Sequence, residues 1–424
     1  MFKVKQRFWI ILTFFIVSLF GWIYYEDEIF IQLTVFFSLI IIVSYLWSLF
    51  SVIRIDVIRK SRYLRQNVGE YFEEYFEIKN QLPIWRFWLE ITDHSNLPGY
   101  QVSRVISTLG PNQSRNFNSY TLLKNRGVVH LGPISITSGD PFGFFQSGKQ
   151  IENRSVLLIL PFYASLSEIT QHFGMLLGGN SLRKPSLETT PHAAGIREYL
   201  PGDPLNRIHW PSTMKRNQIM VKEFDQDPQT SVWIYLDAHQ MVHYSQEFKK
   251  ENEPEDRLWL LKKRTGYQLP CDSFEYAVST AATLADFFVK QGRSVGLCCS
   301  GKNTEILSSD KGERQLTKIL ELLTFIHPDG DLPIFRFVES NIGYQNLGTT
   351  VIIITTTAAV ELLHAAEIIK QKGLYPIFVV LDANSFGLKN DAEIEKKELT
   401  AGKISSVVIK YGDSIKDVLQ KDLS

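Results

Sequence analysis

The sequence predicts three architectures in series: a two-helix transmembrane hairpin, a β-sandwich, and an α/β domain built on a parallel sheet. Three observations carry this. Two uncharged apolar runs open the chain. Short aromatic and β-branched strands separated by Gly/Pro/Asn turns follow, and the second half alternates continuous apolar strands with amphipathic helices. The expected boundaries are 1–65 for the hairpin and its basic flanks, 66–165 for the sandwich, 166–218 for a connecting segment, and 219–424 for the α/β domain.

No charge interrupts Phe8–Tyr25 or Ile29–Ile53, and each run is long enough to cross a bilayer core. The acidic turn Glu26, Asp27, Glu28 separates them, and Trp9, Trp22, Tyr24, Tyr25 and Trp47 fall near their ends, where amphipathic rings favour a membrane interface. Lys3, Lys5 and Arg7 precede the first run; Arg54, Arg59, Lys60, Arg62 and Arg65 follow the second. The positive-inside rule then predicts a multi-pass protein of the cell membrane, with both termini and the soluble domains in the cytoplasm. A cleaved signal peptide is the competing reading of the first run. No small-x-small site follows it, and the second run comes at once.

With 424 residues there is room for about two or three domains. Lys+Arg and Asp+Glu each total 45, so the net charge is zero and lacks the basic footprint of a nucleic-acid binder. Three cysteines are too few for a disulfide framework, and Cys298 and Cys299, adjacent in a strand-like run, suit a reduced compartment.

Strands are expected at Tyr71–Lys79, Trp85–Thr92, Gln101–Ser107, Arg115–Leu123, Val128–Leu131, Ile134–Thr137 and Val156–Leu160, between turns such as Asn96–Gly99, Gly110–Asn112 and Gly132-Pro133. This pattern fits an immunoglobulin-like sandwich in architecture alone, because the Cys pair and Trp spacing of antibody domains are absent. The Asp140-Pro141-Phe142-Gly143 turn reads as a corner carrying a tucked aromatic, and Gly127 as the positive-φ residue of a hairpin.

Between the sandwich and the α/β domain, Gly195–Lys215 mixes charge and aromaticity too closely for a core element. Asp203-Pro204 is a helix-start signal, with Pro211 expected to stop the turn just after Trp210. Arg197, Glu198, Asp203, Arg207 and Lys215 are then placed to form an ionic network over Trp210 and Tyr199. That network serves either as a joint between domains or as a recognition surface.

Arg197, Glu198, Tyr199, Pro201, Gly202 and Asp203, followed by Arg207, Ile208 and Trp210, resemble the signature of the bacterial "domain of unknown function 58" family. Lys215 and the Val221–Phe224 strand, together with Arg126-Gly127, Leu131-Gly132-Pro133 and Asp140–Gly143, extend the resemblance. It implies a membrane-anchored protein with a von Willebrand factor A-like C-terminal domain, commonly associated with MoxR-type AAA+ ATPases and without an established enzymatic activity.

In the C-terminal half, strands are expected at Val232–Leu236, Val295–Cys299, Val351–Ile354, Ile377–Leu381 and Val407–Ile409. Helices are expected from an Asp272/Glu275 capping box, around Leu316–Leu323, at Ala358–Gln371 and from about Ser414, with a solvated excursion at Gln246–Arg264. A von Willebrand factor A domain places a metal at the strand ends, with an Asp-x-Ser-x-Ser loop. Here Asp237 is followed by His239 and Met241 in place of the serines, so a degenerate metal site is expected, with Asp237 as a strand-end cap.

No phosphate loop, dinucleotide fingerprint, nucleophile elbow or His-Glu-x-x-His is present; Ser147-Gly148-Lys149 and Ser300-Gly301-Lys302 read as turns. No cofactor is expected. The leading expectation is a non-catalytic scaffold or adaptor presenting a protein-binding surface, with a MoxR-type ATPase as possible partner. The alternatives are a metal-dependent ligand binder using Asp237 with Thr355–Thr357, and an enzyme acting around Arg197, Asp203 and His209.

Overall fold

A computed structural model describes residues 2–99, 102–166, 193–200, 208–224, 231–245, 267–345, 348–357, 359–387 and 405–422. The chain divides into two compact units, Met1–Pro161 and Phe162–Ser424. The excursion expected at Gln246–Arg264 lies outside the described residues.

The first unit begins with β1 (Phe2–Val4), α1 (Gln6–Tyr25) and α2 (Glu28–Ser51). Both helices are long and apolar enough to cross a membrane, and only 11% of the most apolar window of each is buried. Their outward faces are therefore apolar, which water does not favour and lipid does. The two helices meet through small residues. The hydroxyls of Ser18 and Thr34 lie 2.9 Å apart, and a Cβ on Gly21 would run into the Phe30 ring. Close approach through Gly, Ser and Thr is how helices pack where apolar burial offers no drive.

The strands of this unit form three sheets. One has the order β1-β10-β9-β5-β6, comprising β5 (Arg86–Asp93), β6 (Ser103–Leu109), β9 (Ile134–Gly139) and β10 (Phe145–Ile151) with β1. A second joins β2 (Ile55–Ser61), β4 (Tyr71–Asn80) and β7 (Ser114–Leu122), and a third joins β3 (Arg65–Asn67), β11 (Ser155–Leu160) and β8 (Gly127–Leu131). The period-2 pattern is clearest in β4, where Phe72, Glu74, Phe76, Ile78 and Asn80 are buried in alternation. Gly127 opens β8 at a φ of +135°, the positive value expected of it.

Two expectations need correction here. Sheet residues begin well before 66: β1 pairs with β10 ahead of the helices, and β2 pairs with β4 directly after the second helix. Ser147-Gly148-Lys149 is not a turn but the middle of β10, paired with Ile136–Ser138 and, at Ser147, with Phe2. A polar, half-exposed strand held between two neighbours lacks the alternation that sequence reading depends on.

Across the sheets runs a buried ionic group. Arg59 of β2 donates from Nη1 to Asp93 Oδ2 of β5 at 2.8 Å, and from Nη2 to the Asn153 carbonyl at 2.8 Å and to Ser155 Oγ at 3.1 Å. Its Nε lies 3.8 Å from Glu74 of β4, and all three charged side chains are at most 2% exposed. A guanidinium is suited to this position because it can serve several acceptors in one plane.

The second unit contains a β-hairpin and a six-stranded sheet. In the hairpin, β12 (Ala193–Glu198) pairs antiparallel with β13 (Met220–Phe224), and the short helix α3 (Trp210–Arg216) lies between them in sequence. The sheet has the order β16-β15-β14-β17-β18-β19. Its strands are β14 (Val232–Leu236), β15 (Val295–Ser300), β16 (Thr304–Asp310), β17 (Thr350–Thr355), β18 (Tyr375–Leu381) and β19 (Ser405–Ile409). All pairings are parallel except β15–β16. Numbered within the sheet, the order is 3-2-1-4-5-6, a doubly wound arrangement.

β14, β15 and β17 are buried at every position, as expected of strands covered on both faces. The helices are α4 (Ser273–Lys290), α5 (Glu313–Phe325), α6 (Ile334–Asn341), α7 (Ala359–Gln371) and α8 (Ile415–Asp422). Asp272 caps α4, its side chain accepting from the Phe274 and Glu275 amides. Trp233, Tyr235, Phe337, Ile353, Leu362 and Phe378 share one core cluster. Gly296 makes room for it, since a Cβ there would stand 2.7 Å from the Trp233 indole. The antiparallel strand β16 and the helix α6 were not expected. The helix is only eight residues long, and β16 is largely exposed.

Arg59→Ala should lower the stability of the first unit by about 3–5 kcal/mol, because it strands two buried carboxylates. Arg59→Lys should recover part of that loss. Thermal melting of the detergent-solubilised protein measures both.

Candidate functional site

In a doubly wound sheet, ligands bind beyond the carboxyl ends of the strands, where the strand order reverses. Here that place lies between β14 and β17. The register sets Leu236 opposite both Cys299 and Ile354, so the residues that follow, Asp237, Ser300 and Thr355, converge at one level. Asp237 is fully buried. Its Oδ2 accepts from Thr355 Oγ1 at 2.6 Å and Thr357 Oγ1 at 3.1 Å. Its Oδ1 accepts from the His239 amide at 3.0 Å and from Ser300 Oγ at 3.3 Å. Ser300 Oγ in turn accepts from the Ala238 amide at 2.8 Å. One carboxylate thus ties together three neighbouring strand ends.

A second layer closes over it. Gly330 donates its amide to the Ala238 carbonyl and accepts from the Gln240 amide, each at 2.9 Å. It passes so close to Ser300 that a Cβ would collide with the Ser300 carbonyl. His243 Nε2 donates to the Asp237 carbonyl at 2.8 Å, and its Nδ1 faces Ser273 Oγ at 3.2 Å. A carbonyl can only accept, so Nε2 carries a proton. Burial pushes the His243 pKa below its ordinary value, outweighing the opposite pull of Asp237 and Asp272.

The structure separates the expected metal-loop residues. Asp237 points into the strand ends, His239 is half-buried and forms a parallel bridge with Gly330, and Met241 is exposed. Ser300, His243 and Gly330 were missed. Their only sequence signals were a strand-end serine, a lone histidine and the turn Asp329-Gly330-Asp331, each common by itself. The three cysteines are buried, and burial pushes the Cys298 thiol up to about 12, away from nucleophilic use.

Of the motif residues, Gly202, Asp203 and Arg207 lie outside the described residues, so the expected Asp203 cap does too. Arg197, Glu198 and Tyr199 run along the end of β12, where Arg197 pairs with Val221 and Glu198 with Met220. Tyr199 donates its amide to the Ile219 carbonyl at 2.9 Å. Pro211 does not stop a helix as expected. It stands in the first turn of α3, where a missing amide proton costs nothing, and His209 precedes the helix as its N-cap residue. Trp210 is 65% exposed, and the ionic network expected over it rests on Asp203 and Arg207, which lie outside the described residues. Lys215 and Glu198 are exposed as well, and Met214, one helical turn from Trp210, is 82% exposed.

With this geometry in place, comparison with known proteins locates the chain. Residues 195–382 match the model of a family described as Protein of unknown function DUF58. The matched region takes in the Trp210 hairpin and the Asp237 cluster together. An uncharacterized protein of Bacillus subtilis (strain 168), YeaD, is 23% identical over 252 residues, and the match spans 59% of this chain and 56% of YeaD.

Among solved structures, the CARDB domain of PF1109 from Pyrococcus furiosus aligns with 25% of this chain and 94% of its own at 13% identity and a TM-score of 0.19. A β-glucosidase from Listeria innocua aligns with 25% of this chain and 16% of its own at 9% identity and a TM-score of 0.17. Alignments this loose bear on neither fold nor function.

Asp237→Ala should destabilise the second unit by about 3 kcal/mol, because Ser300, Thr355 and Thr357 lose a buried acceptor. Melting of the purified protein measures this. The lowered His243 pKa sets a sign for pH. The unfolded chain takes up the proton first, so the stability tied to neutral His243 is present above about pH 6.5 and lost as the pH falls below it. Denaturant titrations between pH 7.5 and 5 should show that decline, and His243→Asn should flatten it.

Proposed function

We propose that the chain is a non-catalytic, membrane-anchored scaffold or adaptor whose β12–α3–β13 hairpin carries a protein-recognition surface. The observation that carries this reading is the exposure of Trp210 and Met214 on one face of α3, with Leu200 and Ile219 also exposed on the same hairpin. Tryptophan anchors and adaptable methionines are what binding surfaces use. The family resemblance supplies the partner class, a MoxR-type AAA+ ATPase, and a role in assembly, maturation or envelope stress. The basic flanks of α1 and α2 favour a cytoplasmic location for both units. The doubly wound sheet with its antiparallel edge is compatible with a von Willebrand factor A-like unit.

Asp237 acts in this reading as a brace. A hard divalent cation wants about six oxygen ligands. Here one carboxylate has both oxygens engaged by protein donors, and no group of three His, Cys, Asp or Glu suited to a metal occurs among the described residues. The exposed Met241 thioether is a poor substitute for a serine hydroxyl. In this reading the hydroxyls of Ser300, Thr355 and Thr357 serve Asp237 itself rather than an ion.

Two measurements test the proposal. Trp210→Ser with Met214→Ser should reduce co-purification with a MoxR-type ATPase about tenfold, the scale of losing one hot-spot contact, without moving the melting temperature. A wild-type chain that does not retain the ATPase, or a double variant that still does, overturns the assignment. Millimolar Mg²⁺ should leave the melting temperature of the second unit unchanged; a rise would restore the metal reading.

A further inference from the structure

We infer that the first unit makes a second contact with the bilayer besides its two helices: Ile84, Trp85 and Trp88, together with Phe142, sit in the lipid headgroup layer. The inference rests on the membrane-anchored reading of α1 and α2.

The position of these residues follows from hydrogen bonds. Arg86 donates from Nη1 to the Phe50 carbonyl and from Nη2 to the Ile53 carbonyl, the latter at 3.0 Å. Carbonyls at a helix end lack partners within the helix, and a guanidinium is well placed to satisfy them. This pins the start of β5 to the end of α2. Beside it, the Trp47 and Phe87 rings stack with centroids 5.9 Å apart.

The start of α1 lies at the same end of the hairpin. The helices are antiparallel, with Phe14 beside Phe37 and Ser18 against Thr34. There the Lys5 amide donates to the Phe144 carbonyl at 2.9 Å, and a Cβ on Gly143 would stand 3.6 Å from the Arg7 guanidinium. At about 1.5 Å per residue, a hydrocarbon core of about 30 Å measured from Glu28 is used up close to Trp47. Phe50 and Ile53 then fall in the headgroup layer, and so does what Arg86 ties to them.

The side chains suit that layer. Trp88 is 65% exposed, Trp85 56% and Phe142 51%, and Ile84 is also exposed. Phe142 is thus not tucked into its corner as its turn suggested. Trp88 has a φ of +54°, a left-handed backbone that bulky residues rarely adopt. Phe87 and Trp88 are consecutive and both exposed, where a regular strand would turn one of them inward. Strain held in place by the surrounding structure marks a functional constraint. Indole rings favour the membrane interface, and the exposed cations Lys3, Lys5, Arg7 and Arg54 at the same end suit anionic headgroups. Lipid is the occupant because Arg86 ties the start of β5 to Phe50 and Ile53, which are themselves exposed.

The test uses the full chain in nanodiscs of phosphatidylcholine with phosphatidylglycerol. Single cysteines at Trp85, Trp88 and Phe142 are labelled with an environment-sensitive fluorophore; the native cysteines are buried, and an unsubstituted control corrects for them. Val17→Cys and Leu39→Cys report on the helices. Nitroxide lipids labelled near the headgroup should quench the 85, 88 and 142 labels about two-fold more than those labelled near the bilayer centre, with the reverse at 17 and 39, as the interfacial depth of indole rings requires. Three separate positions guard against one substitution that misfolds. Quenching at 17 and 39 with none at 85, 88 and 142 overturns the inference and leaves the anchor standing. No quenching at any position overturns both.

Discussion

Two apolar helices that the rest of the chain does not cover set the conditions for the whole first unit. Their backbone ends need donors, and the sheet that follows must begin where the second helix stops. The structure meets both conditions within a few residues. Ile55 enters β2 directly after the helix, Arg86 returns from β5 to the open carbonyls, and β1 pairs with β10 ahead of α1. The sheets are thus attached to the hairpin both before α1 and after α2.

In the second unit a buried carboxylate has the comparable place. Parallel strands are not joined by hairpins, and their carboxyl ends leave polar groups facing a crevice. Asp237 fills that crevice with acceptors and receives hydroxyls from two neighbouring strands, while Gly330 closes it above. The site a fold of this type keeps for ligands is here occupied by the protein's own side chains. The exposed chemistry lies instead on the Trp210 hairpin, which is where the recognition reading finds its support.

Much of this was legible in the sequence, for identifiable reasons. The helices stood out because charge is absent over their whole length, and the buried strands β14, β15 and β17 because both faces must be apolar. Asp272 was readable as a cap from its local context. What escaped reading depended on distance or on exposure. Arg59 gains its meaning from Glu74, Asp93 and Asn153, and Asp237 from Ser300 and Thr355, partners that only the strand register brings together. β10 and β16 escaped because half-exposed strands show no alternation. Pro211 was misjudged because proline can either begin a helix or end one, and the residues before it decide which.

The antiparallel strand β16 also matters for the order in which the sheet can assemble. β15 and β16 are joined by the short turn after Ser300, so their pairing closes the smallest loop in the sheet. β14 and β17 must find each other across α4, α5 and α6, at a far larger entropic cost. The strand that departs from the parallel pattern is therefore the one whose partner lies nearest along the chain. It also gives the sheet an exposed outer edge carrying Glu305 and Asp310, which discourages pairing with another chain.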